Sequence, residues 1–288
     1  MSAKFILGIV GGGFVGQAAK LFGSHLVTCK VYDIDSTKCS KGVTSISDLS
    51  YCDLIFICVP TPMDKVTGEC HTHIVEKCIS NIREVIPNAE IVIRSTVPVG
   101  FSEKHKCHFI PEFLTEKNWE QDTYNCPEWF LGVDDNSKNV IQKIIKLFSN
   151  SGISYRDINS PPTPINFTVV STKVAESIKY FRNCFLSTKV SFCNEFYRFC
   201  KANNVDYSLV SSSASRDTRI GTSHTTVPGH DGHFGFGGTC FPKDMASLKH
   251  QMSELNVDSS IISACIHRNE TLDRPEKDWT GDTGRAVI

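Results

Sequence analysis

The sequence predicts an α/β protein, a doubly wound parallel sheet followed by a mainly helical second half. Three observations carry this reading. Short apolar runs alternate with amphipathic stretches from Phe5 to Ile158, the pattern of strand and crossover helix. A glycine-rich turn joins the first apolar run to the first helical one. Proline-rich Ser160-Pro161-Pro162-Thr163-Pro164 reads as a linker, and a long run without breakers follows it. The expected domains are therefore residues 1–163 and 164–288.

Phe5 to Val10 is the first strand, Gly11-Gly12-Gly13-Phe14-Val15-Gly16 the turn, and Gln17 to Phe22 a helix. This is G-x-G-x-x-G at a strand-to-helix junction, the dinucleotide fingerprint of a Rossmann-type sheet. Gly11 permits the tight turn, Gly13 lets a pyrophosphate approach, and Gly16 lets helix and strand pack closely. The helix N-terminus then faces the phosphates. A second strand, Leu26 to Tyr32, ends at Asp33, 17 residues past Gly16. A ribose-binding carboxylate belongs about there, and an acid at that place favours NAD over NADP. The residues expected against the cofactor in this stretch are Gly11, Gly13, Phe14, Val15, Gly16, Asp33 and Lys38.

Alternation continues. Asp53 to Val59 reads as a strand ending in Pro60-Thr61-Pro62, and Ile74 to Val85 as a helix stopped by Pro87. Glu90 to Ile93 is a strand leading into Arg94-Ser95-Thr96-Val97-Pro98. Strands at Cys107–Ile110 and Trp129–Val133, a helix at Ser137–Phe148 and a strand at Ile153–Ile158 complete the half. Ligands of such sheets sit beyond the strand C-termini. Thr61, Ser95, Thr96 and Glu112 fall there, although each alone could be turn or cap chemistry.

Beyond the linker, Val169 to Lys201 reads as one helix. Val174, Ile178, Phe181, Phe185, Phe192, Phe196 and Phe199 keep to one face of it. Glu176, Lys179 and Asn183 form a stripe on roughly the opposite face, where a solvated surface is the ordinary reading. Two more helices are expected at Lys243–Leu255 and Ser259–Leu272, with an irregular polar tail from Arg274 to Ile288.

Composition narrows the function. A formal charge of -1 argues against a general nucleic-acid surface. No apolar run is long enough to span a bilayer, and Met1-Ser2-Ala3-Lys4 shows no signal-peptide pattern. Thirteen cysteines, scattered and odd in number, fit free thiols in a reducing cytosol, so a cytoplasmic protein is expected. Cys70, His71, His73 and Cys78, and likewise His105, Cys107 and His108, lack the paired C-x-x-C spacing of a zinc site. No metal is expected.

Gly235-Phe236-Gly237-Gly238-Thr239-Cys240-Phe241-Pro242-Lys243-Asp244 is the most distinctive stretch. Its glycines allow sharp turns or close approach. Pro242 suits the first turn of a helix. A cysteine between a glycine loop and a helix start, near a lysine, stands where thiol pKa values tend to fall. It could equally be a small buried apolar residue. His224, His230 and His233 precede it, and nothing fixes which of them would meet it.

With these motifs in order, the chain resembles the UDP-glucose/GDP-mannose 6-dehydrogenase family, within the 6-phosphogluconate dehydrogenase-like superfamily. The match runs through the glycine motif with Asp33, Val59-Pro60-Thr61-Pro62, Ser95-Thr96-Val97-Pro98 and Pro111-Glu112-Phe113-Leu114-Thr115-Glu116. It continues through Glu176-x-x-Lys179-x-x-x-Asn183, Arg219-Ile220-Gly221 and the Cys240 loop. The resemblance implies a 6-phosphogluconate dehydrogenase-like helical domain and a nucleotide-linked sugar whose primary alcohol is oxidised twice, with two NAD reduced. Cys240 would be the nucleophile of a thiohemiacetal and then a thioester. Lys179 and Asn183 would stabilise the oxyanion. Asp244 with Thr96 would handle water, and Glu112 would act in acid/base chemistry. Pro60, Thr61, Ser95, Thr96 and Glu116 would join the NAD site. Glu112, Phe113, Leu114, Lys179, Asn183, Phe234, Gly235, Gly237 and Gly238 would hold the sugar substrate. Arg219 would reach it across a homodimer built on helix 169–201.

Departures accompany the match. Against the family pattern, residues 1–288 are expected to hold no counterpart of the C-terminal nucleotide-sugar-binding domain, the segment after Asp33 is short, Lys117 replaces a glycine, and Trp129 stands where arginine is common. Two rival readings follow. One is a single-step β-hydroxyacid dehydrogenase of the same superfamily with Cys240 idle, the other a non-catalytic NAD-binding partner subunit.

Overall fold

The computed structural model describes residues 4–133, 138–154 and 165–288. They form two compact units, Met1–Thr61 with Thr72–Lys179, and Pro62–His71 with Tyr180–Ile288. The linker at 160–164, with the boundary expected at 163/164, lies outside the described residues.

The first unit is built on seven strands: β1 (Phe5–Val10), β2 (Val27–Tyr32), β3 (Leu54–Ile57), β4 (Ile91–Ile93), β5 (His108–Phe109), β6 (Trp129–Gly132) and β7 (Phe167–Val170). Their order in the sheet is β2-β1-β3-β4-β5-β6-β7. All pairings are parallel except β5 with β6, which is antiparallel at Phe109 and Gly132. The central strands β1, β3 and β4 are continuous apolar runs because both faces are covered. One face packs Leu7, Ile9, Phe56, Trp129 and Phe148. The other packs Ile55, Ile57, Ile79, Ile93 and Phe101. The helices of this unit are α1 (Phe14–Lys20), α2 (His73–Val85), α3 (Phe101–Lys104), α4 (Trp119–Tyr124) and α5 (Lys138–Asn150).

Strand β7 corrects the sequence reading, which began the long helix at Val169. Phe167-Thr168-Val169-Val170 is an aromatic residue followed by three β-branched ones, and it pairs in register with Trp129 to Gly132. The helix, α6, starts at Thr172 and runs to Ala202. The strand expected at Ile153–Ile158 is not formed at its start, where Ser151 to Ser154 turn. Its remainder lies outside the described residues, as does Ser137 at the start of the expected helix.

The second unit packs most of α6 with α7 (Tyr207–Ala214), α8 (Phe241–Glu254) and α9 (Ser260–Arg268). Tyr180, Cys184, Phe236, Met245 and Cys265 form its core. Along α6 the phenylalanine face is open: Phe181 is 72% exposed, Phe185 58%, Phe192 65% and Phe199 59%. The helix expected to reach Leu272 ends earlier, and Asn269–Asp273 form a wider turn.

The tail is a second correction. It is docked, with Trp279, Ala286 and Val287 buried against Met63 and Ala246. Met63 gives its N–H to the Ala286 carbonyl at 2.9 Å and accepts from Ile288 at 3.0 Å. This pairing draws Pro62–His71 into the second unit. Two apolar tail residues and one tryptophan outweigh the polar composition around them.

Candidate active site

The dinucleotide cradle lies wholly in the first unit. Gly11 has φ +102°, and a Cβ there would lie 2.5 Å from the Cys58 carbonyl oxygen. A Cβ at Gly16 would lie 1.9 Å from the Gly11 oxygen, whereas at Gly13, the cap of α1, nothing comes within 4 Å. A tight turn beside open space at a helix N-terminus fits a pyrophosphate. Phe14 and Val15 follow in the first turn. The Asp33 carboxylate, just past β2, accepts N–H bonds from Gly12 at 2.6 Å and Asp35 at 2.8 Å. Further acceptor capacity on that carboxylate suits a ribose diol. Lys38 pairs with Asp35 at 3.4 Å.

Past the neighbouring strands, Thr61, Ser95 and Thr96 are buried. Ser95 donates to the Val59 carbonyl at 2.7 Å, tying the ends of β3 and β4. Glu112, after β5, is 5% exposed and Lys179 3%. The Lys179 ammonium donates to the Glu112 carboxylate at 2.7 Å and to its carbonyl at 2.6 Å. Leu114 N–H holds the other carboxylate oxygen at 2.8 Å. The Phe113 ring lies 5.6 Å from the ammonium. Glu116 is exposed.

Arg94, just past the end of β4, is a buried cation that the local sequence pattern does not mark. It is 2% exposed, and its guanidinium lies 5.3 Å from the Trp129 ring and 5.7 Å from Phe56. A guanidinium thus reaches Trp129, the position where arginine was expected. Burial pulls Arg94 below its ordinary pKa, against the opposing influence of Cys58 and Glu112.

The second unit gathers the other candidates. Cys240 is the half-buried cap of α8, and Pro242 occupies its first turn. Asp244 has no exposed surface. It accepts from Asn183 at 2.6 Å and from the buried Lys243 ammonium at 2.5 Å. Burial alone would lower the Lys243 pKa, but Asp244, Cys70 and Cys240 hold it above the ordinary value. The Lys243 cation is therefore an electrostatic neighbour of the Cys240 thiol.

The glycine loop has its own scaffold, which the sequence reading missed. Asn269 grips Phe236 at both backbone groups, accepting at 2.8 Å and donating at 2.9 Å. Asn194 accepts from Gly235 N–H at 3.1 Å. A Cβ at Gly235 would strike the Asn269 oxygen at 2.2 Å, and one at Gly237 the Arg274 guanidinium at 2.4 Å. Gly238 stays open, with φ +71°. Phe234 packs 5.5 Å from Tyr197. Arg219 is exposed and paired with Asp217, and Lys189 anchors its loop through the Ile220, Gly221 and Ser223 carbonyls. Among the described residues, no three His, Cys, Asp or Glu side chains group as a metal site.

Two family models match. Residues 40–150 match the NAD-binding domain of the UDP-glucose/GDP-mannose dehydrogenase family and residues 173–271 its central domain. The chain belongs to this family. Its first unit holds the family's NAD-binding domain. UDP-glucose 6-dehydrogenase TuaD of Bacillus subtilis is 31% identical over 76% of this chain and 46% of its own. UDP-glucose 6-dehydrogenase of Rickettsia bellii is 28% identical over 91% of this chain and 66% of its own. The solved UDP-glucose dehydrogenase of Pyrobaculum islandicum superposes with a TM-score of 0.76 at 23% identity, covering 93% of this chain and 68% of that one. That likeness is one of fold. The chain therefore spans about half to two thirds of the length of these curated relatives.

Proposed function

We propose that this chain carries the catalytic part of a nucleotide-sugar 6-dehydrogenase, like UDP-glucose 6-dehydrogenase, oxidising the sugar's primary alcohol to the uronic acid in two steps. The observation that carries this is Cys240, half-buried at the head of α8 with the Lys243 cation in electrostatic reach and Asp244 and Asn183 bonded to each other in the same unit. NAD, held by the glycine cradle and Asp33, with Pro60, Thr61, Ser95, Thr96 and Glu116 as further contacts, supplies the hydride acceptor for each step.

The chain's own groups do the rest. Glu112 with Lys179 takes the hydroxyl proton as the alcohol becomes an aldehyde. The Cys240 thiolate adds to the carbonyl carbon, giving a thiohemiacetal whose oxyanion Lys179 and Asn183 stabilise. Loss of the second hydride leaves a thioester. Water, oriented by Asp244 and Thr96, cleaves the C–S bond and returns the thiolate, releasing the carboxylate. Phe113, Leu114, Phe234 and Gly235 to Gly238 bound the sugar. The chain acts as a homodimer through α6, with Arg219 serving the partner's substrate, in the reducing cytosol, where free thiols persist.

The test is an activity screen with UDP-glucose, GDP-mannose and related sugars, counting NADH per product. Two NADH per sugar, falling to one in Cys240→Ser, is the expected result. One NADH with an indifferent Cys240→Ser would return the reading to a single-step β-hydroxyacid dehydrogenase.

A further inference from the structure

Glu176 takes no part in the chemistry above, yet it is a carboxylate with no exposed surface. It stands one turn before Lys179 on α6, so the two project from one face. Its oxygens accept the N–H of Gly100 at 2.6 Å and of Ser102 at 2.8 Å. Those donors head α3, immediately after Ser95-Thr96-Val97-Pro98. First-turn N–H groups have no partner inside their own helix, and a neighbouring side chain usually supplies one. Other elements here are capped that way: Asp206 caps α7 and Asp35 caps the turn at Ser36–Lys38. The cap of α3 is a glycine with φ +92°, which offers no side chain, and the acceptor comes instead from 76 residues away. Lys173 and Glu103 tie the same two helices at the surface, 2.5 Å apart. Burial pushes the Glu176 carboxyl above its ordinary pKa, while the bonds from Ser102 and Gly100 pull it back.

A buried carboxylate is a costly way to cap four residues of helix. What it does that a local cap would not is link two segments. We propose that Glu176 is a positioning residue: it holds the segment carrying Ser95 and Thr96 against the turn of α6 that carries Lys179. This rests on the roles given above to Thr96 and Lys179.

The experiment compares the unsubstituted chain with Glu176→Gln, which keeps size but replaces one acceptor oxygen with a donor. Amide hydrogen exchange at Gly100 and Ser102 should quicken. Turnover should fall about 100-fold, as ångström-scale misplacement does. KM for NAD and sugar, and NAD affinity read by fluorescence, should stay within about threefold. Gly100→Ala, which strains the same cap from the loop side, should show the same split more weakly. Faster exchange with unchanged kcat would overturn the proposal, and so would lost kcat with unchanged exchange. Exchange and NAD binding are read without sugar. Inactivity of the unsubstituted chain on every nucleotide sugar would strike the function, whereas unchanged exchange in Glu176→Gln would strike the clamp.

Discussion

Lys179 and Glu112 are both buried and meet at 2.7 Å, so neither charge has bulk water to fall back on. Their attraction offsets a desolvation cost that neither could bear alone. Removing one partner leaves the other uncompensated. Lys179→Met should lower stability by about 3–5 kcal/mol, while the double variant Lys179→Met/Glu112→Leu should recover most of it. Urea unfolding of both variants checks this, and a double variant no more stable than the single would refute it. At this scale the sequence was informative about kinds of residue and silent about pairs. Lys179 and Glu112 were named separately, from a helix stripe and a strand end. Their pairing joins positions 67 residues apart, which no local pattern encodes. Asn269, Arg274 and Lys189 were missed for the same reason. Asn269 and Lys189 act by holding distant backbone and Arg274 by bonding distant carboxylates, and any polar stretch offers such residues.

At the scale of elements, the docked tail shows composition misleading. Arg274 is 3% exposed and binds Asp231 at 2.7 Å and Asp278 at 2.6 Å. The hydrogen bond from Arg274 is the main reason the Asp278 carboxyl lies below its ordinary 3.8. Asp231 is also lowered: its burial, the largest single influence, opposes, and the bonds from Arg274 and His233 with the charges of Arg274 and His230 together prevail. A lowered folded-state pKa means stability that is complete above the unfolded value, about 3.9, and lost as pH falls through the folded one. The tail should therefore loosen below about pH 3.9. Trp279 emission, taken as the difference between the chain and Trp279→Phe, should shift red there. Constant difference emission down to the folded-state pKa would contradict this. The glycine motif behaves oppositely, since its spacing encodes geometry directly. A Cβ at Gly11 or Gly16 has no room, so the turn is written into the residue type.

On the scale of the whole molecule, the phenylalanine face of α6 matters most. Phe181, Phe185, Phe192 and Phe199 are more than half exposed on one helix. Each would contribute about 2–3 kcal/mol if covered. A second copy of the same helix is a partner of matching chemistry, and two-fold pairing would cover the face in both chains at once. The chain should sediment as a dimer at micromolar concentration, and Phe181→Lys/Phe192→Lys as a monomer of unchanged helicity. Equal masses for the two would remove α6 as the interface. Sequence periodicity found this face. Periodicity alone reports an apolar stripe, not whether its own fold buries it.

The sequence by itself determined the alternation of strand and helix, the dinucleotide cradle and the residue types of the chemistry. These are local: a glycine's freedom, a strand's apolar run and a helix's period each act within a few residues. Tertiary structure decided what depends on distant partners. It turned Thr168-Val169-Val170 into an edge strand by offering β6 as a neighbour. It drew the tail onto Met63, and it joined Glu176 to Gly100 and Ser102 and Asn183 to Asp244. The physical reason is the same throughout. A buried polar group or a strand edge must be satisfied, and the chain that satisfies it is close only after folding.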